Sequence, residues 1–359
     1  MGLTGLGVGG ALLLAAAVCL TSGCNTLAYY AQSVNGHLDL VQRARPVSDW
    51  LAEPSTSHEL KQRLVLSQQI RDFGVAELGL PDNPSYRRYA DLQRPAAVWN
   101  VVAAPELSLT LETWCFPVVG CVSYRGYFDR AAADAYAAEL KARGLEVDVY
   151  GVPAYSTLGK LPFDALADPL LNTFIGYPEG ELARLIFHEL AHQVAYAADD
   201  TVFNESFAGA VERIGGARWL SQSPRGAARD EYLALDQRRR QFKELTQACR
   251  ERLLAVYASS SPEAEKRSAK LAVMAQLRSD YEMLKARQWG GYSGYDAWFA
   301  RANNASLGVL SAYNELVPAF ERMFELQGRD FQRFYGEVRR LAALPRSERR
   351  SALTAISGD

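Results

Sequence analysis

The sequence lacks an excess of either charge, since 39 Lys and Arg stand against 41 Asp and Glu and leave a net charge of −2. A near-neutral chain gives no electrostatic reason to expect a nucleic-acid partner. It also lacks repeats and low-complexity tracts, and its 48% hydrophobic residues, 15 Pro and 27 Gly exclude a collagen, a disordered tail protein and a polytopic membrane protein. A chain of 359 residues can bury a sizeable core. Histidine is scarce, with four in the chain.

Charge is absent from residues 1–23, where an apolar stretch over 11–20 precedes three small residues and Cys24. A short apolar segment that ends in small residues is typical of a secretory signal. The residues before Cys24 resemble a bacterial lipobox, in which the cysteine is acylated and becomes the N-terminus. A plain secretory signal and an uncleaved anchor are the alternatives, since about twenty apolar residues can span a bilayer. We expect a lipid anchor on the periplasmic face of a bacterial membrane, and Asn25 after the cysteine favours the outer membrane.

Two cysteines of the exported part lie close together in the sequence. Cys115 and Cys121 are six residues apart, with Pro117 and Gly120 between them to turn the chain. Their spacing fits no common zinc pattern. In an oxidising compartment they form either a disulfide or two unpaired core cysteines. Cys249 lies on an apolar helical stripe and is predicted to be buried.

Two of the four histidines form an HExxH motif, His188-Glu189-Leu190-Ala191-His192. Residues four apart on a helix lie one above the other, so both imidazoles point to one place. Two nitrogen ligands of a tetrahedral Zn²⁺ need this arrangement. Glu189 points to the neighbouring side of that place, where it reaches a metal-bound water without being a ligand. The motif therefore predicts a zinc site with Glu189 as its general base.

The third ligand is predicted to be a carboxylate. The remaining histidines, His37 and His58, lie far upstream, and no histidine follows at the metzincin spacing. Glu205, thirteen residues after His192, opens a returning helix and is the first choice. Glu212, seven residues further along the same face, is the second choice as ligand, or else it orients a ligand or binds a substrate amine.

The order of patterns along the chain predicts a predominantly helical α+β fold. Its predicted parts are a lipoprotein-type signal peptide (1–23), an N-terminal helical region (24–96), a small α/β unit (97–179), zinc-binding active-site helices (180–222) and a C-terminal helical hairpin and bundle (223–359). In the α/β unit, strands are predicted over 98–104, 107–114 and 145–152, and an amphipathic helix over 130–144 that ends on Gly144.

The motifs together resemble a known family. HELAHQ followed by FNESFA resembles the glutamate-zincins. With CFPVVGCVSYRGYF and the stretch over 156–175, the chain resembles the bacterial putative-aminopeptidase family of exported lipoproteins. The resemblance implies that His188, His192 and Glu205 bind zinc, one ion per chain, and that Glu189 is the catalytic base. Gly209 stands where thermolysin-like enzymes carry an Asp that orients a zinc histidine, so another carboxylate must do this, and Asp199 and Asp200 are candidates.

The expected reaction is hydrolysis of a peptide bond in a peptide or protein substrate by zinc-activated water. The family resemblance implies an aminopeptidase, although no GxMEN-type motif for anchoring the substrate amine is present. A hydroxyl that stabilises the oxyanion is expected from Tyr292 or Tyr295 on a glycine-rich loop. Two alternatives remain: a degenerate, metal-binding zincin that serves as a cell-envelope scaffold or chaperone through its helical hairpin, and a hydrolase of another amide such as a cell-wall crosslink.

Overall fold

The computed structural model describes residues 29–116, 120–154, 156, 167–198, 200–222, 226–312 and 316–357. These residues form a predominantly helical fold with a few small sheets, which confirms the predicted α+β class. The predicted signal peptide and Cys24 lie outside the described residues. No helix within the described residues combines the length and the apolar character that crossing a membrane requires.

The helices within the described residues range from six to 33 residues in length. They are α1 (29–43), α2 (Val47–Ala52), α3 (His58–Leu78), α4 (Arg130–Ala142), α5 (Glu179–Val194), α6 (Thr201–Gln222), α7 (Gly226–Ala258), α8 (Glu263–Arg287), α9 (Asp296–Arg301), α10 (Asn304–Ala312), α11 (Val317–Leu326), α12 (Phe331–Ala342) and α13 (Arg346–Ser357). The strands are β1 (Arg45–Pro46), β2 (Arg88–Ala90), β3 (Val98–Pro105), β4 (Trp114–Phe116), β5 (Gly120–Val122), β6 (Arg125–Tyr127), β7 (Leu145–Val152) and β8 (Leu170–Leu171).

The largest sheet has β3 at its centre, with β6 and β7 antiparallel on either side. Most of β3 is buried, because α4 covers one face, with Ala137 and Leu140, and α10 covers the other, with Ala305. A strand covered on both faces reads as a continuous apolar run. A second sheet has the order β1-β2-β8, and β4 and β5 form an antiparallel pair in which a disulfide joins Cys115 to Cys121.

The predicted strand over 107–114 is wrong except for Trp114, which begins β4. The backbone turns after β3, where the Ser108 amide donates to the Pro105 carbonyl at 3.2 Å and the Thr110 amide donates to the Ser108 hydroxyl at 3.0 Å. Leu109 then packs into the core of the α7–α8 hairpin. The Glu112 amide still donates to the Ala103 carbonyl of β3 at 2.8 Å, but this contact does not extend into a strand ladder.

The helices α5 and α6 pack closely because α6 carries two glycines at the contact. A Cβ atom at Gly216 would lie 2.8 Å from Cγ of Arg184, and one at Gly215 would lie 2.9 Å from Cδ2 of Phe187. Both distances are shorter than a carbon–carbon contact allows. Larger residues there would push α6 away from α5 and separate the side chains that the two helices bring together.

The start of α6 is held by a buried ion pair with the last helix. Asp200 and Arg349 are 1% and 4% exposed, and Nη1 of Arg349 donates to Oδ2 of Asp200 at 2.6 Å. The same guanidinium donates to the carbonyls of Ala342 and Leu344. Oδ1 of Asp200 accepts from the Phe203 amide at 3.2 Å and so caps α6. The C-terminal helix is thereby tied to the helix that carries Glu205.

Arg349→Ala is expected to lower the free energy of unfolding by about 3 kcal/mol, because it leaves the buried Asp200 carboxylate short of a partner. Urea denaturation followed by circular dichroism measures this loss. The matched control is Arg340→Ala, which removes an arginine paired with Glu337 at the surface and should cost at most about 1 kcal/mol. Equal losses for the two variants would contradict the structural role of the buried pair.

Candidate active site

Helix α5 presents the HExxH motif because its apolar residues recur on the opposite face. Leu182, Ile186 and Leu190 are completely buried in the main core. His188, Glu189 and His192 therefore face away from that core, and all three line one cavity. The periodicity of the sequence is thus sufficient to place these side chains together.

The two imidazoles and one carboxylate converge on a single place. Nε2 of His188 lies 3.2 Å from Nε2 of His192. The carboxylate of Glu205 from α6 lies 3.2 Å from Nε2 of His188 and 3.8 Å from Nε2 of His192. One ligand atom from each of the three residues lies within 4.8 Å of the others. The structure therefore brings together the three residues that the sequence predicts as ligands.

Glu212 contacts the other side of the same imidazole. Its Oε2 lies 2.9 Å from Nδ1 of His188, and its Oε1 forms an ion pair with Arg184. The His188 ring thus lies between two carboxylates, Glu205 at Nε2 and Glu212 at Nδ1. Of the alternatives for Glu212, the geometry favours the one in which it orients a ligand. A carboxylate on the outer nitrogen fixes the orientation and tautomer of a metal-binding histidine.

Asp199 and Asp200 were the candidates for orienting a zinc histidine. Asp200 does not contact either histidine, and Asp199 lies outside the described residues. Asp200 is instead paired with Arg349 and Arg350. The reason is that Asp200 precedes α6 and caps it, whereas Glu212 lies on the face of α6 that meets α5.

The electrostatics of the site follow from burial and from this arrangement. Burial lowers the pKa of His192 to about 4, which keeps this imidazole neutral. For His188, burial acts in the same direction, but the two carboxylates outweigh it and raise the pKa well above its usual value. Burial opposes ionisation of Glu212, yet Arg184 and His188 hold its pKa down to about 2. Burial, with the charges of nearby carboxylates, raises the pKa of Glu189 to about 7.

The cavity beside these groups has a volume of about 540 Å³. Its walls are largely aromatic and aliphatic, with Tyr30, Phe116, Phe128 and Val152 among them. Among the described residues, no lysine or arginine lines it, and its ionisable side chains other than tyrosine are His188, His192, Glu189 and Glu205. A mostly apolar cleft with a few converging polar groups is the usual form of a small-ligand or substrate site.

The expectation that Tyr292 or Tyr295 stabilises an oxyanion is not supported by their positions. Both pack against Trp289 in the hairpin core, and neither lines the cavity. The glycines of their loop allow turns but do not determine which surface the loop packs on. Tyr124 lines the cavity, and burial together with the charge of Glu205 raises its pKa, so that its hydroxyl stays protonated.

Residue Gln193 belongs to a polar network that the motif alone does not indicate. Its amide accepts from Asn83 Nδ2 at 2.6 Å and donates to the Ser85 hydroxyl at 3.1 Å and to Asp168 at 3.4 Å. In the sequence, the turn residues Asn83-Pro84-Ser85 indicate the rigid loop that Gln193 contacts. Its contact with α5 depends on tertiary structure and could not be predicted from the spacing.

The donor set fits a zinc ion. Two imidazole nitrogens and one carboxylate are a common protein ligand set of catalytic zinc, which keeps a further position open. The two Nε2 atoms face each other across 3.2 Å. Two facing imidazole nitrogens can bond to each other only when one of them carries a proton, whereas a cation between them and Glu205 uses the lone pair of each.

Comparison with known proteins agrees with the sequence motifs. A family model described as "Putative aminopeptidase" matches residues 28–353. Neither a curated protein nor a solved structure matches the chain. The matched range contains α5, α6 and the described residues that line the cavity. Because the match covers most of the 359 residues, the chain belongs to the family of putative aminopeptidases.

Proposed function

We propose that the protein is a zinc-dependent peptidase that hydrolyses peptide bonds. The observation that carries this proposal is the convergence of His188, His192 and Glu205 within 4.8 Å, with Glu189 lining the same cavity. Membership of the putative aminopeptidase family supports a peptidase and agrees with hydrolysis at the amino end of a chain.

The residues of the site have separate tasks in this proposal. His188, His192 and Glu205 hold the ion, which when bound supplies Lewis acidity toward water and toward the scissile carbonyl. Glu189 accepts the proton of the attacking water and delivers it to the leaving amine. Glu189 suits both steps because it lines the cavity beside the ligand residues, within reach of a water there.

Arg184 and Glu212 support the ligand His188. Arg184 is 7% exposed and lies between the carboxylates of Glu212 and Asp236, with 3.7 Å to the latter. Because Arg184 fixes Glu212 and Glu212 fixes Nδ1 of His188, the lone pair of Nε2 is aimed at the ligand position. The cavity disfavours a substrate with an acidic bound side chain, since no lysine or arginine lies among its described lining residues to pair with a buried negative charge.

The test is an assay of the zinc-loaded protein on a peptide mixture that contains each sequence with a free and with an acetylated N-terminus. We expect hydrolysis that stops when zinc is removed by a chelator and returns when zinc is added. Cleavage of the free peptides alone makes the protein an aminopeptidase. If the loaded protein cleaves no peptide, or cleaves isolated muropeptides instead, the proposed function is wrong.

We also propose that a lipid on Cys24 attaches the protein to a bacterial membrane, most readily the outer one. The three small residues before Cys24 support this. A lipid at this position would hold the folded part close to the membrane surface. Stable attachment by one cysteine requires more than one acyl chain, as in bacterial lipoproteins.

Cys24→Ser is expected to move the protein from the membrane fraction to the soluble fraction of the envelope, because the acylation site is lost. Fractionation followed by immunoblotting measures this change. Cys19→Ser, in the same segment, is the matched control and should leave the protein in the membrane. If Cys24→Ser remains in the membrane, the segment before it is an uncleaved anchor.

A further inference from the structure

Tyr86 combines a left-handed backbone, a buried side chain and a hydroxyl without a partner among the described residues. Its backbone φ is +64°, a left-handed conformation that bulky residues rarely adopt. Gln93 and Arg329 also have positive φ values, but both lie at the surface. Tyr86 is 1% exposed, and its hydroxyl is buried with no hydrogen-bond partner among the described residues. Strained backbone and an unsatisfied buried hydroxyl at one residue point to a functional role.

The strained conformation is enforced by the surrounding structure. The Tyr86 amide donates to the Asp168 carbonyl at 2.7 Å, and Gln68 Nε2 donates to the Tyr86 carbonyl at 2.9 Å. The loop before it is held from inside by Arg71, which is completely buried. This guanidinium donates to the carbonyls of Pro81, Asn83 and Ser85 at 2.7, 3.1 and 3.1 Å, respectively. The position of Tyr86 is therefore fixed from several directions.

This loop lies against the face of α5 that carries the base. Asn83 and Ser85 both contact Gln193, at 2.6 and 3.1 Å. Gln193 follows Glu189 by four residues, so the two share one face of the helix. Tyr86, which directly follows Ser85, is thus brought toward Glu189. In agreement with this placement, burial and then the charges of Glu189 and Asp168 raise the pKa of Tyr86, so its hydroxyl stays protonated and able to donate.

Of the two nearby carboxylates, Glu189 is the one without a hydrogen-bond donor among the described residues. The carboxylate of Asp168 already accepts from the Ser156 hydroxyl at 3.1 Å and from Gln193 at 3.4 Å. Among the described residues, the structure records no hydrogen bond to the carboxylate of Glu189. A glutamate carboxylate rotates over a broad range of its last torsion. A general base works only when its oxygen is aligned with the proton that it accepts.

We propose that Tyr86 is a positioning residue whose hydroxyl donates to the carboxylate of Glu189 and holds it in the orientation that proton transfer needs. The inference rests on the proposed peptidase function, in which Glu189 is the base. Hydrogen bonds of this kind are often long before substrate binds and shorten in the complex. Donation to the base gives a role to a tyrosine that is strained, buried and otherwise without a partner for its hydroxyl among the described residues.

Tyr86→Phe removes the hydroxyl alone and separates this role from a packing role. We expect kcat to fall by about 10- to 100-fold, the usual effect of losing a group that orients an active residue. KM and zinc content should stay unchanged. The melting temperature should stay the same or rise, because the substitution removes an unsatisfied buried hydroxyl. Tyr335→Phe is the matched control, since Tyr335 is also completely buried with an unpartnered hydroxyl and lies in the core around α12. It should leave kcat unchanged.

A second measurement tests the contact without relying on activity. In protein labelled with ¹³C at tyrosine Cζ, we expect Glu189→Gln to shift the Tyr86 signal and to leave the Tyr335 signal in place. An unchanged kcat in Tyr86→Phe, or a loss accompanied by lower zinc content or melting temperature, overturns the positioning role. If the wild-type protein hydrolyses no peptide, the proposed function fails, and the NMR response alone then decides whether the hydroxyl contacts the carboxylate.

Discussion

Replacing Glu189 by Gln is expected to lower peptide turnover by about 10³-fold while zinc stays bound. The substitution keeps the size of the side chain and leaves His188, His192 and Glu205 intact. It removes the group that accepts the proton, because an amide has no basic oxygen at neutral pH. Initial rates with saturating peptide, together with the zinc content of the same sample, measure both parts of this expectation.

A suitable control is Glu181→Gln on the same helix. Glu181 is paired with Arg239 and does not line the cavity, so its loss should leave turnover close to that of the wild type. If Glu189→Gln lost its zinc, Glu189 would be a ligand. If it retained full activity, another group would be the base.

Replacing Glu205 by Ala is expected to lower zinc affinity by several orders of magnitude and to abolish peptidase activity. The carboxylate of Glu205 lies 3.2 and 3.8 Å from the two Nε2 atoms. Without it, two imidazoles hold the ion alone, and the binding free energy falls accordingly. The fold should remain, since the apolar residues Phe203 and Phe207 and not Glu205 fill the core at this end of α6. Competition with a chromophoric chelator measures the affinity.

Glu212→Gln provides the comparison that separates a ligand from a supporting residue. Glu212 contacts Nδ1 of His188 and not the ligand position, so the amide oxygen of the glutamine should still accept from that nitrogen. We therefore expect zinc affinity to fall by only about 10- to 100-fold. Tight zinc binding in Glu205→Ala, with complete loss in Glu212→Gln, would reverse the two roles. The HExxH residues would keep theirs in either case.

The sequence was sufficient to predict the geometry of the motif because that geometry is local. His188 and His192 converge through the repeat of one helix, and the apolar residues of α5 determine which face is buried. Glu205 could also be placed, since a short connection and an antiparallel return restrict where α6 begins. The helix predicted over 130–144 from its periodicity and from Gly144 is found over 130–142, and Gly144 has a φ of +81°.

The parts that could not be predicted depend on contacts between distant segments. Glu212 lies about two turns beyond Glu205, and its position in the sequence left open whether it binds the metal, orients a ligand or binds a substrate amine. An imidazole has two nitrogens on opposite sides, however, and the close approach at Gly216 brings Glu212 to the outer one. Likewise, Tyr292 and Tyr295 pack against Trp289, a contact that the glycine-rich composition of their loop does not indicate.

The central claim is that His188, His192 and Glu205 form one zinc site. Titration of zinc into the metal-free protein, with a chromophoric chelator as competitor, tests this claim most directly. We expect one zinc per wild-type chain and none, under the same competition, when His188 and His192 are both replaced by alanine. Equal zinc binding by the wild type and the double variant, or no binding by the wild type, would contradict the claim.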